Sequence, residues 1–262
     1  MKIGGRVGFD KIEDLERVFR SVDFPFELAL PWKYRELWLP LEERTEEIID
    51  FFRGRKLDIL SIHATQGRIT EESFLVWGEK TVEIALALGV KSVTVHPNEV
   101  KDNRDWHQKQ ALRMIKRFGG EVTISIETFG SAKRVFTPAD LVDQKTPMTL
   151  DTAHLPDREE VIKIIRAHHR HIRTVHLSSI GREEHHLPID DFCVRVVEEL
   201  KNLGWGGNVI LEYLPWHNYR LRDDIRALEG YVAREGSLKT ALVDDKYKNQ
   251  PDRYGFNPDG SF

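Results

Sequence analysis

The feature that most constrains what this chain can fold into is an alternation. Short runs rich in β-branched and aliphatic residues lie at 3–8, 26–30, 58–62, 92–96, 122–127, 147–151, 172–177 and 208–213. Between them, stretches near 11–22, 42–53, 74–88, 103–118, 137–143, 158–168, 189–203 and 222–234 carry apolar residues at helical spacing. Strand followed by helix, repeated, is the pattern of parallel βα units. Val93-Thr94-Val95, Val122-Thr123-Ile124-Ser125-Ile126 and Val209-Ile210-Leu211 are nearly continuous apolar runs, as expected of strands covered on both faces. Gly54, Gly89, Gly119 and Gly204 each follow a periodic segment, where a left-handed C-cap favours glycine.

Eight such units in 262 residues, close to the roughly 250 of one barrel domain, predict a single (β/α)8 TIM barrel, an α/β fold, over 1–243, with a polar tail at 244–262. An open doubly wound sheet shares the alternation, but Gly4-Gly5-Arg6-Val7-Gly8 lacks the spacing of a nucleotide-binding fingerprint after the first strand. The longest apolar runs fall far short of the roughly 20 residues that span a bilayer, so no membrane partner is expected. The N-terminus reads as a strand and lacks the apolar region of a signal peptide, and the single cysteine, Cys193, sits in an apolar helical pattern. The expected compartment is therefore the cytoplasm, and neither a disulfide nor a thiolate metal cluster is available. A net charge of −4 argues against strong nonspecific attraction to a polyanion.

In a barrel of this kind the C-terminal ends of the strands converge on one mouth. Six consecutive strands end in a side chain able to bind a metal: His63, His96, Glu127, Asp151, His176 and Glu212. Each alone is consistent with a capped helix or a satisfied core histidine. Together they would place several carboxylates in one partly buried space, which is costly without cations. A mixed imidazole and carboxylate set suits Zn²⁺, Mn²⁺, Fe²⁺ or Co²⁺ better than Ca²⁺. His154, three residues after Asp151, can reach the same cavity, and Glu184 and His186 can point the same way from an extended loop after the seventh strand. Trp32 and Trp216, which follow Pro31 and Pro215, are candidates for lining the mouth, as are Trp77 and Trp106, with core packing as the alternative. His168, His169 and His171, around a helix end, read as structural.

The motifs Val95-His96-Pro97, Ile126-Glu127, Asp151-x-x-His154, Val175-His176-Leu177, Glu184-x-His186 and Leu211-Glu212-Tyr213 resemble, in order, those of the xylose isomerase-like TIM barrels, a superfamily that also holds the endonuclease IV type of DNA-repair enzyme. The resemblance runs from about Ile59 to Leu214. Its isomerase and epimerase members imply one divalent metal, Mn²⁺-like or Zn²⁺, on Glu127, Asp151, His176 and Glu212. Glu127 and Glu212 would then be the catalytic proton acceptor and donor, His154 would touch a substrate hydroxyl and Arg182 a polar or anionic substituent, the substrate being a small carbohydrate. The endonuclease IV-like members imply instead three zinc ions on nine ligands, His63, His96, Glu127, Asp151, His154, His176, Glu184, His186 and Glu212, with DNA as partner. Here Glu184 departs from that pattern's Asp, His96-Pro97-Asn98 from its His-Pro-Gly, and Leu177 to Glu183 is shorter and less basic than its DNA-contacting loop. The sugar isomerase or epimerase is the first reading, the zinc phosphodiesterase the alternative, and a noncatalytic metal- or ligand-binding barrel the third. Self-association into a homo-oligomer is a further expectation from the resemblance.

Overall fold

The computed structural model describes residues 1–31, 44–64, 72–96, 103–128, 135–155, 157–181 and 184–233. Trp32, Pro97, Asn98, Arg182, Glu183 and the tail at 244–262 lie outside the described residues. The strands are β1 (Lys2–Gly8), β2 (Phe26–Ala29), β3 (Ile59–His63), β4 (Ser92–Val95), β5 (Thr123–Glu127), β6 (Met148–Asp151), β7 (Ile172–Leu177) and β8 (Asn208–Leu211). All pair in parallel with their sequence neighbours, and β8 returns to β1 to close the barrel. The helices between them are α1 (Leu15–Phe19), α2 (Thr45–Arg53), α3 (Glu72–Ala87), α4 (Arg104–Phe118), α5 (Pro138–Asp143), α6 (Arg158–His168), α7 (Asp191–Asn202) and α8 (Leu221–Ala233). A single (β/α)8 barrel is thus the architecture, with strand positions within two residues of those read from the sequence.

The apolar core lies between the strands and the helices. Phe19 packs edge-on against Phe52 and tilted against Phe26, joining α1, α2 and β2, and Val161, Ile165, Val196, Val197 and Leu200 bury the inner faces of α6 and α7. Helix ends follow local chemistry. Thr137 and Asp140 form a reciprocal capping box at α5, and Asp190 caps α7 through Cys193 N. Cys193 is buried within α7, in keeping with a packing role. Of the four expected left-handed glycines, Gly89 (φ 70°) and Gly204 (φ 63°) adopt that backbone, whereas Gly54 and Gly119 do not. Gly54 ends α2 with φ −76°, its N–H still bonded to Asp50 O and the following Arg55 N–H to Phe52 O, so the helix simply unwinds there.

The barrel interior is polar. Thr94 and Thr149 hydroxyls lie 3.0 Å apart although β4 and β6 are not neighbours, so their contact crosses the interior; Ser125 joins Thr149 at 2.7 Å. Gly4 permits β1 and β2 to close up, since a Cβ there would sit 2.4 Å from Pro25 O and 2.9 Å from a Leu60 methyl. That packing need accounts for the first of the two adjacent glycines in β1. Among the described residues no helix is long and apolar enough to cross a membrane.

Candidate metal centre

The strand ends deliver their side chains to one place, and period-two alternation explains why. On each strand the residue two before the mouth faces the interior as well, so Ser61 lies beneath His63, Ser125 beneath Glu127, Thr149 beneath Asp151 and Thr174 beneath His176. Glu127, Asp151, His176 and Glu212 are all buried, and one ligand atom from each lies within 4.8 Å of those of the others. His176 is the hub. Its Nδ1 is 3.1 Å from Glu127 Oε1 and 3.0 Å from Glu212 Oε2. A second group, His63, His96 and Glu127, adjoins it. There His96 Nε2 lies 2.6 Å from Glu127 Oε2 and 3.2 Å from His63 Nε2. His63 Nδ1 is 3.0 Å from Ala64 O. A proton on that nitrogen donates to the carbonyl and leaves the Nε2 lone pair facing the site. A third group comprises Asp151, His154 and His186, with His154 Nδ1 3.4 Å from Asp151 Oδ2.

Two charged residues that the sequence reading passed over complete the site. Glu27, inside β2 and wholly buried, places Oε1 3.0 Å from His176 Nε2 and accepts a hydrogen bond from Ser61 Oγ at 2.7 Å. Arg6, level with Glu27 in the β1–β2 register, donates from its guanidinium to Glu212 Oε1. Attention to strand ends hides both, because each sits inside its strand. Their signal was a charge flanked by apolar or small neighbours, Phe26-Glu27-Leu28 and Gly5-Arg6-Val7, in strands expected to be covered on both faces.

The electrostatics pair these groups off. Burial pushes the Glu127 and Glu212 carboxyls upward, but their neighbours win: charge and hydrogen-bond interactions with the imidazoles of His96, His176 and His63 hold Glu127, and Arg6 with His176 holds Glu212, well below the usual carboxylate range. Asp151 goes the opposite way, raised well above its ordinary value by burial and by the charges of Glu127 and Glu212. Burial acts against a charged His176, yet Glu27 and Glu212 raise it well above the ordinary histidine value. Burial lowers His154 to about 4. Asp151 Oδ1 is taken by the N–H groups of Ala153 and His154, while Asp151 Oδ2 and Glu212 Oε2, both buried, accept no hydrogen bond. Buried carboxylate oxygens left without donors, converging on imidazole nitrogens, fit a divalent ion.

His186 comes to the mouth and Glu184 does not. The loop closes on a bridge between Ser179 and Leu187 and turns through Gly181 N–H to Glu184 O. His186 itself has left-handed backbone, φ 57°, so the extended alternation expected of residues 184 and 186 is broken. Glu184 is exposed, belongs to none of the donor groups, and acts electrostatically on His217. Trp216 follows β8 in a 3-10 turn and is 45% exposed; Trp106, at the start of α4, is 47% exposed. Neither is core, in contrast to the packing alternative.

No protein-family model matches this chain, and no curated protein matches it in sequence. Solved structures do match in shape. The chain superposes on 3-keto-D-glucoside 4-epimerase from E. coli with a TM-score of 0.62 at 16% identity, covering 88% of this chain and 99% of that one. On endonuclease IV from Thermus thermophilus the TM-score is 0.60 at 18% identity, covering 88% and 100%. On the IolI protein with a bound zinc atom it is 0.55 at 15% identity, covering 88% and 96%. The structural neighbours are xylose isomerase-like TIM barrels, and the likeness carries the fold.

Proposed function

We propose that this protein is a divalent-metal-dependent isomerase or epimerase acting on a small sugar or sugar phosphate. One observation carries the reading: Glu127, Asp151, His176 and Glu212 form a buried four-donor group at the centre of the mouth, with two carboxylate oxygens, Asp151 Oδ2 and Glu212 Oε2, engaged in no hydrogen bond of regular geometry. These four would hold the ion, Mn²⁺ or Zn²⁺. A bound ion would supply Lewis-acid polarisation of a substrate carbonyl or hydroxyl oxygen.

The chain's own groups supply the proton chemistry. Glu127 and Glu212 are held in the anionic form that a proton acceptor requires. A carboxylate that takes a proton from the carbon beside a carbonyl can return it to the former carbonyl carbon, while the adjacent hydroxyl gives its proton to the former carbonyl oxygen, which isomerises the sugar. Inversion instead needs a proton delivered to the opposite face of the same carbon by the second glutamate, which must first take that proton from water while the first glutamate later returns its own to water. His154, neutral above about pH 4, can both accept from and donate to a substrate hydroxyl. Arg182, Trp32 and Trp216 complete the proposed substrate contacts, of which Trp216 alone lies among the described residues.

Charge balance favours few ions over three. Glu27, Glu127, Asp151 and Glu212 bring four buried carboxylates, and Arg6 offsets one of them. One or two divalent ions therefore come close to neutrality, whereas three would leave excess positive charge in a buried site. The phosphodiesterase reading draws on the second donor group, His63, His96 and Glu127, which is in place for another ion; its nine-ligand set lacks Glu184 at the cluster.

The deciding measurement is metal content by elemental mass spectrometry of protein purified without chelator, followed by assays on ketoses and aldoses. About one transition-metal ion per chain, with carbon-bound hydrogen exchange into a sugar, is the expected result. Three zinc ions with cleavage of abasic DNA would replace this reading by the phosphodiesterase, and a metal-bearing protein without turnover on either class would leave the binding barrel.

A further inference from the structure

The site contains a buried carboxylate outside the proposed four-donor group. We infer that Glu27 is a positioning residue that fixes the tautomer and orientation of His176, presenting its Nδ1 lone pair to the ion. This rests on the metal-dependent reading above. Glu27 Oε1 and His176 Nε2 face each other at 3.0 Å as an ion pair, both residues are buried, and neither atom is engaged in a hydrogen bond of regular geometry. Glu27 Oε2 is held by Ser61 Oγ from the adjacent strand at 2.7 Å, so the carboxylate is itself anchored. A carboxylate beside Nε2 demands a proton there. In the neutral ring the other nitrogen must then carry the lone pair, and it is Nδ1 that lies 3.1 Å from Glu127 and 3.0 Å from Glu212.

The arrangement is a relay across the barrel: Ser61 on β3 holds Glu27 on β2, which holds His176 on β7. Partners of this kind raise ligand basicity, and their loss commonly weakens metal binding about 10- to 100-fold. A plain structural ion pair would stabilise the fold without governing which nitrogen binds. Glu27 also lies within ligand range of His63 and His176. A carboxylate bound directly to its own ion would cost a whole metal equivalent when removed, not affinity.

The test compares wild type, Glu27→Gln and Ser61→Ala, using Zn²⁺ as probe. Affinity is read by chelator competition, and the ring by long-range ¹H–¹⁵N spectra of the ¹⁵N-histidine-labelled, zinc-loaded proteins. Wild type should show His176 as the Nε2–H form with Nδ1 on zinc. Glu27→Gln should bind the same number of ions about 10- to 100-fold more weakly, with the Nε2–H signal shifted or lost, and Ser61→Ala should change both in the same direction by less. Equal affinity with an unchanged His176 spectrum, or loss of a full metal equivalent in Glu27→Gln, would overturn the inference. If Glu27→Gln does not fold, Ser61→Ala alone decides on the same two readouts. Failure of wild type itself to bind zinc would sink the functional reading, and this inference with it, which the wild-type arm separates from failure of the variants alone.

Discussion

At the scale of single residues, Arg6 is a fixed cation on Glu212, a carboxylate that the proposed ion would share. Its guanidinium is raised above its ordinary value despite burial, because Glu212, Glu27, Glu127 and Asp151 surround it. Arg6→Met removes a positive charge beside the ion's place. By Coulomb's law the variant should bind zinc more tightly than wild type, while the metal-free variant melts at a lower temperature; weaker zinc binding would show that Arg6 acts chiefly by shaping Glu212. Glu212→Gln should lower turnover at least ~100-fold in a protein that still folds, and retained turnover would remove Glu212 from the proton-transfer step. Metal uptake must also displace protons from Asp151 and His176, both raised in the metal-free state. Calorimetry in buffers of different ionisation enthalpy should therefore show net proton release on zinc binding, with affinity falling as pH falls.

At the scale of elements, the strands and the placement of the side chains at their ends were legible because period-two alternation and parallel pairing leave few alternatives. Knowing that a strand ends at residue 63, 96 or 151 places its last side chain at the mouth before any coordinates are known. Residues inside strands were harder to read. The interior layer below the ligands is Ser61, Thr94, Ser125 and Thr149, and hydroxyl-bearing β-branched or small residues look the same in sequence whether they face a helix or the barrel axis. Glu27 and Arg6 belong to that hidden layer. The 184–186 loop failed for another reason, since one left-handed residue reverses an alternation and histidine carries no mark of that conformation. Gly4 tests the packing at this scale. Gly4→Ala should destabilise the protein by about 1–3 kcal/mol by chemical denaturation, because the added Cβ meets the Pro25 carbonyl at 2.4 Å; an unchanged midpoint would mean that β1 and β2 separate easily.

For the molecule as a whole, buried charges make stability fall as pH rises through the neutral range. His176 has a folded-state value raised well above the 6.5 of a free histidine. Its contribution is complete below that free value and is lost as pH rises through the folded value. Asp151, also raised, acts in the same sense. Metal-free protein should thus lose melting temperature as pH rises above the free-histidine value of 6.5, and zinc-loaded protein should lose less, because its ligands are already deprotonated. A metal-free profile that stays flat or rises over that range would mean that these two groups are not protonated in the fold.

The contact between Arg6 and Glu212 joins residues 206 positions apart, on the first strand and just after the last. During synthesis β1 through β7 emerge with Glu27, Glu127, Asp151 and His176 already in the chain, but the place of Glu212 is filled only when β8 docks beside β1. The centre is therefore assembled by the same event that closes the barrel. Under the metal-dependent reading, a ribosome-bound chain that ends before residue 208 lacks Glu212 and offers the ion only three of the four donors, so the complete set exists only once the eighth strand has emerged.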